Sequence, residues 1–361
     1  MEWLIDIAGE AAVLTAGGLL IGVLFGAFAQ VSKFCLRSAV IEFSKGLLGP
    51  KVAIWLLTFS AAVATTQAAI ALGWLDVSTA RQLAARGSLS GALIGGLLFG
   101  AGMILARGCA SRLLVLSATG NLRALMSGLV LTVVAQASLR GALSPLREAL
   151  SELWTVQGGP SRNLLSFVHA GAWLGTGLGL SWLACALWFA RRAVIGLSAA
   201  ASAIGVGLAV AAGWLFTCGV AQSSFSLIQV KSISFIGPSA DTLMGLINSP
   251  TLPWGFDTGL VPGVFAGSLF ASLLTGEWKM QGFHGGPSMT RYLLGASLMG
   301  FGGMLAGGCA VGAGVTGGAI FALTAWLALG AMWAGALGTH YLVDEQFLKL
   351  ASSSATIGAA N

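Results

Sequence analysis

Apolar residues occur along the chain in long runs separated by short polar stretches, and this pattern predicts membrane-spanning helices. Nine runs can be distinguished: 14–28, 52–75, 89–106, 125–139, 167–190, 194–216, 260–274, 293–306 and 319–342. Several are shorter than the roughly 20 residues that a full crossing needs, so these helices must extend into flanking polar positions. Strands that cross a membrane would alternate apolar and polar residues, which the runs do not. The pattern therefore predicts an all-α polytopic membrane protein of about nine transmembrane helices.

Four segments between these runs are too apolar for exposed loops, yet too short or too polar to cross a membrane. They are 34–43, 109–118, 224–247 and 309–318. Irregular or half-length helices at membrane depth occur where protein or a water-filled cavity surrounds them. We therefore expect four short re-entrant helical elements, two from each side, that meet near the middle of the membrane. In contrast, segment 141–166 is expected to be a surface loop, and the tail 350–361 to be disordered.

One stretch of the chain occurs twice. GGLLFGAGMILARGCA at 95–110 and GASLMGFGGMLAGGCA at 295–310 are identical at nine of sixteen positions without a gap. A repeat of this length predicts two related halves, about 14–139 and 194–342, linked by 140–193 within a single membrane domain that covers 1–361. The two copies fall on the third and eighth runs, an odd separation, so they would cross in opposite directions. An inverted repeat of this kind places a substrate path near the membrane midplane.

Composition and charge agree with a membrane location and suggest an orientation. Only 8% of the 361 residues are charged and 56% are hydrophobic, whereas about 25% of an average soluble domain is charged. The basic residues behind the net charge of +6 are dispersed between the runs, and we expect them to form no patch, which argues against a nucleic-acid partner. The acidic start MEWLIDIAGE differs from a signal peptide, so the first run should be retained. An N-terminus outside and a cytoplasmic C-terminus place twelve basic residues inside and six outside, as the positive-inside rule favours.

The cysteines are the most distinctive candidates for chemistry. The chain contains no C-x-x-C pair and no His/Cys cluster at metal spacing, so neither a metal site nor a thioredoxin-type centre is indicated. Three cysteines each stand at the start of one of the short segments: Cys35, Cys109 and Cys309. Glycine precedes the last two, which would allow a ligand to approach closely. The remaining cysteines, Cys185 and Cys218, are interpreted as small apolar packing residues.

Basic residues flank two of these cysteines. Lys33 and Arg37 lie beside Cys35 in sequence, and Arg107 and Arg112 lie on either side of Cys109. Such charges near membrane depth are costly unless they face water, a partner or a passing anion, although anchoring at the cytoplasmic surface is the simpler explanation. The N-termini of the short helices would add partial positive charge. A soft, anionic solute fits both features.

Around these residues the chain resembles the YeeE/YedE membrane proteins, the sulfur-transport family, over about 22–342. The resemblance lies in the stretches FCLRSA, LARGCASRLLVLSATGNL and LAGGCAVGAGVTGG. It implies an hourglass-shaped protein of the bacterial inner membrane, with nine membrane helices and four short central elements. It also implies that thiosulfate moves inward along Cys35, Cys109 and Cys309 through hydrogen bonds from S–H to sulfur, with a TusA-like cytoplasmic sulfurtransferase as partner. A strict copy of the first motif would place a fourth cysteine near 221–227, where none occurs.

Several functions remain open at the level of sequence. No catalytic residues, cofactor or ATP-binding G-x-x-x-x-G-K-[ST] motif are indicated, so we expect a transporter and not an enzyme. A transporter of another sulfur species or of a selenium species would use the same residues. A membrane thiol oxidoreductase would need closely spaced cysteines and a quinone site, which the sequence does not offer. The third alternative is a glycine-rich channel for small neutral solutes.

Overall fold

The computed structural model describes residues 2–168, 171, 173–224, 226–248, 254–282 and 286–345, and most of these are helical. The α-helices are α1 (Glu2–Ala8), α2 (Glu10–Ser32), α3 (Leu36–Ser44), α4 (Pro50–Ala71), α5 (Arg81–Ala84), α6 (Leu89–Leu105), α7 (Ala110–Ala118), α8 (Leu122–Arg140), α9 (Ser144–Glu152), α10 (Trp173–Arg192), α11 (Leu197–Ser223), α12 (Ile236–Asn248), α13 (Phe256–Leu274), α14 (Gly286–Leu305) and α15 (Leu323–Thr339). Two segments are π-helical, Ala310–Gly317 and His340–Glu345. Short 3-10 turns lie at Pro160–Arg162 and Ser166–Val168, and strands β1 (Gly87–Ser88) and β2 (Thr155–Val156) pair antiparallel.

The predicted runs lie on these helices. Within the described residues, eight helical stretches are long and apolar enough to cross a membrane by length and composition, and they contain α2, α4, α6, α8, α10, α11, α13 and α14. The ninth run lies on α15, which has 17 residues and is followed directly by the π-helix His340–Glu345. The all-α polytopic class is therefore confirmed. Several helices are longer than their runs, as expected, whereas α10 begins at Trp173 and not at position 167.

The four short elements are also present. Segment 34–43 forms α3, 109–118 forms α7, and 309–318 forms the π-helix Ala310–Gly317. Segment 224–247 is only partly helical, because residues 226–235 have no regular secondary structure before α12 begins. Helix α7 contacts the π-helix, so short elements from the two halves meet inside the bundle.

Segment 141–166 lies at the surface as expected, apart from Arg162, but it is not a simple loop. This segment contains α9, strand β2 and a 3-10 turn that ends at Arg162, a residue only 5% exposed. The Arg162 guanidinium donates hydrogen bonds to the Ala85 carbonyl oxygen at 2.5 Å and to the Thr324 hydroxyl at 2.6 Å. Burial of a charged side chain is tolerated when such acceptors surround it, and this arrangement cannot be read from a polar sequence.

The repeated stretches pack against each other in antiparallel orientation. A Cβ atom on Gly95 would lie 2.5 Å from the carbonyl oxygen of Gly302 and 2.5 Å from the backbone nitrogen of Ala306. Reciprocally, a Cβ on Gly295 would lie 2.7 Å from the carbonyl oxygen of Gly102. Only residues without side chains allow two backbones to approach this closely. The α6/α14 crossing is thus built from the same glycines in both copies.

Other helices also pack against a helix from the other half of the chain. Helix α2 packs against α13, and α11 packs against α4. Likewise α6 packs against α15, and α14 packs against α8, whereas the linking helix α10 packs against α4. In these pairings each half of the chain packs on the other.

The helix ends form two faces. The N-terminal face, as we name it, includes Glu10, Ala71, Leu89, Arg140, Phe256 and Leu305, and the opposite face includes Ser32, Pro50, Leu105, Leu122 and Leu274. Across the N-terminal face, Lys231 pairs with Asp257 at 2.5 Å. Across the opposite face, Asn121 donates a hydrogen bond to the Gln281 side-chain oxygen at 2.6 Å. Polar contacts therefore close the bundle at both ends.

Candidate functional site

The three candidate cysteines occupy the same kind of backbone turn. Each turn has a residue in the left-handed conformation, then one further residue, then the cysteine in an extended conformation, and a short helix begins directly after the cysteine. The left-handed residues are Lys33 (φ 55°), Arg107 (φ 55°) and Gly307 (φ 81°). The cysteines that follow are Cys35, Cys109 and Cys309. A left-handed residue ends a long helix and redirects the chain, so each thiol lies at the positive N-terminus of a short helix.

All three thiols are reduced and buried, but their partners differ. Cys35 is 7% exposed and Cys109 is 1% exposed, and their side chains lie close to each other. The Cys109 sulfur also lies 3.4 Å from the Ser111 hydroxyl oxygen. Cys309 is 1% exposed, and its sulfur accepts a hydrogen bond from the Gly312 backbone N–H at 3.3 Å. The structure therefore places a thiol pair toward the opposite face and a single thiol toward the N-terminal face.

Phe235 stands where a fourth cysteine would complete the pattern. It directly precedes α12, as Cys35 directly precedes α3, and its backbone N–H interacts with the Cys309 thiol. No cysteine occurs near 221–227, where a strict copy would fall, and the residue that directly precedes α12 is Phe235. The counterpart is displaced because an extended stretch, which the apolar pattern did not reveal, separates α11 from α12.

Of the predicted basic residues near the cysteines, Arg112 is brought to the thiol pair. It lies half-buried on α7 and interacts electrostatically with both Cys35 and Cys109. Its Nη1 donates a hydrogen bond to the side-chain oxygen of Gln30 at 3.5 Å. Arg37 is also half-buried, on α3 two residues after Cys35. An anion held beside the paired thiols would therefore lie near a positive charge.

The other two predicted basic residues lie at the surface. Lys33 is exposed and its ammonium forms an ion pair with the carboxylate of Glu277 at 2.6 Å. Arg107 is exposed, and its guanidinium carbon lies 5.9 Å from the centre of the Tyr292 ring. These positions agree with anchoring charges at the opposite face.

A cavity of about 450 Å³ opens beside Cys309, and we call it the vestibule. Near the cysteine its wall includes Ser234, Gly307 and Gly308. Five basic residues line it: Arg81, Arg86, Arg147, Arg162 and Lys231. Two acidic residues, Asp241 and Asp257, also line it. The excess of positive charge in a concave site raises the local concentration of anions.

Arg162 is the most deeply buried of these charges. Among the residues that the structure describes, no carboxylate forms an ion pair with it. Burial lowers the pKa of Arg162, and the nearby Arg81 lowers it further. The sequence pattern did not reveal the vestibule, because its charges come from separate segments. The expectation that the basic residues form no patch is therefore wrong for the folded protein, in which five of the six on this face converge.

Comparison with known proteins decides the family. A family model described as sulphur transport matches residues 31–338, which include all three cysteine turns and both copies of the repeat. The chain belongs to the sulphur transport family. It is also similar to a protein named thiosulfate transporter TsuA from Spirochaeta thermophila, with 26% identity over 330 residues that cover 86% of this chain and 93% of that protein. The family resemblance predicted from the cysteine motifs is confirmed.

In this member of the sulphur transport family, the other two cysteines, Cys218 and Cys185, lie outside the three turns. Cys218 is buried as predicted, and its sulfur accepts a hydrogen bond from the Gln222 side chain at 3.4 Å. Cys185 is exposed on α10, so the prediction of a buried packing residue is wrong there. The tail 350–361 lies outside the described residues. In the described part of the chain, no group of three or more His, Cys, Asp or Glu side chains could hold a metal ion.

Proposed function

We propose that this protein carries thiosulfate across the bacterial inner membrane into the cytoplasm, without catalysing a reaction. The path would lead from the vestibule past Cys309 to the Cys35–Cys109 pair. The observation that carries this proposal is the set of three buried thiols, each presented by the same turn between two charged faces. Membership of the sulphur transport family supports a sulfur compound, and the name of the Spirochaeta relative supports thiosulfate.

The direction of transport follows from the proposed orientation. With the N-terminal face outside, twelve basic residues lie on the cytoplasmic side and six outside, as the positive-inside rule favours. The vestibule then faces the outside and attracts the dianion. On the cytoplasmic side, a TusA-like sulfurtransferase would consume the imported sulfur and so keep the inward gradient.

The relay itself would use hydrogen bonds and no covalent intermediate. The terminal sulfur of thiosulfate is polarizable, and a neutral thiol can donate a weak hydrogen bond to it. Weak binding at several sites lets an ion enter and still leave. A thiolate would repel the dianion, so the relay requires the thiols to be neutral. A mass increase on Cys109 or Cys309 after incubation with thiosulfate would count against this mechanism.

Uptake of radiolabelled thiosulfate into proteoliposomes tests the function directly. We expect saturable uptake that excess unlabelled thiosulfate suppresses and excess sulfate does not, because sulfate lacks the terminal sulfur. Preferential uptake of a selenium species, or salt-insensitive passage of neutral solutes, would favour the corresponding alternative. The oxidoreductase alternative predicts that reductant changes the number of free thiols in the purified protein.

A further inference from the structure

At the opposite face, both carboxylate oxygens of Glu277 are bound at the end of α2, by Gln30 and by Lys33, which directly follows the helix. The Lys33 ammonium contacts Oε1 at 2.6 Å, and the Gln30 amide nitrogen donates a hydrogen bond to Oε2 at 2.8 Å. Since the amide nitrogen of Gln30 is committed to the carboxylate, its oxygen points away and accepts the hydrogen bond from Arg112. A continuous chain of polar contacts therefore runs from Glu277 through Gln30 to Arg112.

This chain of contacts ends beside the thiol pair. Arg112 interacts electrostatically with Cys35 and Cys109 on one side and with Glu277 on the other. Gln30, between them, is only 3% exposed. Because the buried Gln30 separates them, the charge of the partly exposed Glu277 reaches Arg112 through a region that screens charge less than water does. A dianion at the thiol pair would be attracted by Arg112 and repelled by Glu277.

We propose that Glu277 sets how readily the anion leaves the Cys35–Cys109 pair. This inference rests on the proposed function, and it makes Glu277 a positioning residue that acts through Gln30 and Arg112. Its carboxylate orients the Gln30 amide, and its negative charge keeps the last binding site weak. Lys33 holds the carboxylate in place at the surface. Efficient passage needs such weak binding at the exit.

The test is the concentration dependence of thiosulfate uptake by proteoliposomes that contain the full-length Glu277→Gln variant. Without the negative charge the anion should bind more tightly and leave more slowly. We expect the apparent KM and the maximal rate both to fall by about two- to fivefold, the range for a partly exposed charge. Glu277→Asp keeps the charge and should restore values near wild type. Glu152→Gln makes the same change at an exposed site outside the vestibule and should have no effect.

Glu277→His provides a second measurement in case the glutamine variant does not accumulate. Its imidazole gains a positive charge as the pH falls through about 6.5. The apparent KM of this variant should therefore fall on acidification more than that of wild type. An unchanged or raised KM in Glu277→Gln, or the same pH dependence in Glu277→His as in wild type, would overturn the inference. Absence of thiosulfate uptake by the wild-type protein would instead overturn the proposed function.

Discussion

The side chains of Cys35 and Cys109 lie close together, although they belong to turns at the ends of two different long helices, α2 and α6. Cys309, in contrast, interacts with backbone N–H groups of Gly312 and Phe235. The two sides of the proposed path therefore offer different partners to an anion. One side presents two thiols and Arg112, and the other presents a single thiol below the basic vestibule.

The left-handed conformation of Arg107, in the turn before Cys109, should make the stability to unfolding depend on the residue at this position. Arg107 adopts φ 55°, a conformation that costs most side chains energy but suits glycine. Arg107→Gly should therefore be more stable to unfolding than Arg107→Ala by about 1 kcal/mol, because both variants lose the same charge and differ only at the backbone. Thermal melting in detergent measures this difference. A more stable alanine variant would contradict the shared turn.

The close approach of α6 and α14 should make the stability of the protein sensitive to any added side chain at their contact. Gly95→Ala should lower the free energy of unfolding by about 1–3 kcal/mol, because the new Cβ would overlap the backbone of Gly302 and Ala306. Gly128 on α8 has no atom within 4 Å of its ideal Cβ position, so Gly128→Ala is the matched control and should cost little. Melting temperatures of the two variants provide the comparison. Equal values would mean that the helices do not cross as closely as described.

We expect Asp241, in the wall of the vestibule, to make the thermal stability of the protein depend on pH. Burial raises the pKa of Asp241 above its ordinary value. An acid whose pKa is raised on folding destabilises the folded state above that pKa, and this cost disappears as the pH falls toward the unfolded value of about 3.9. Asp241→Asn should therefore melt at a higher temperature than wild type near neutral pH, and the gain should shrink on acidification. A gain that grows at low pH would contradict this.

The fold class, and the position of the three cysteines at the start of short segments, could be predicted because both depend on local patterns. Apolar runs located the membrane helices, and the repeat located Cys109 and Cys309 at equivalent positions. The shared backbone conformation of the three turns was not predictable. Of the three left-handed residues, only Gly307 is of a type that favours this conformation, whereas Lys33 and Arg107 are not. The backbone had to be seen before the three turns could be recognised as one motif.

The vestibule and the Glu277 contacts were not predictable for a different reason. Arg81, Arg162 and Lys231 are far apart in the chain and come together only in the folded protein. Glu277 likewise meets Lys33 across more than two hundred residues of sequence. Long-range polar contacts of this kind leave no periodic signal in a single sequence.

The most direct test of the central claim is thiosulfate uptake by single cysteine variants at verified membrane expression, in proteoliposomes and in bacteria that lack their own uptake systems. Cys35→Ala, Cys109→Ala and Cys309→Ala should each reduce uptake by about tenfold or more, as expected when a buried hydrogen-bond donor to the substrate is lost. Cys218→Ala is the matched control, because it removes an equally buried thiol outside the proposed path, and it should transport like wild type. Normal uptake by all three path variants would contradict the thiol relay.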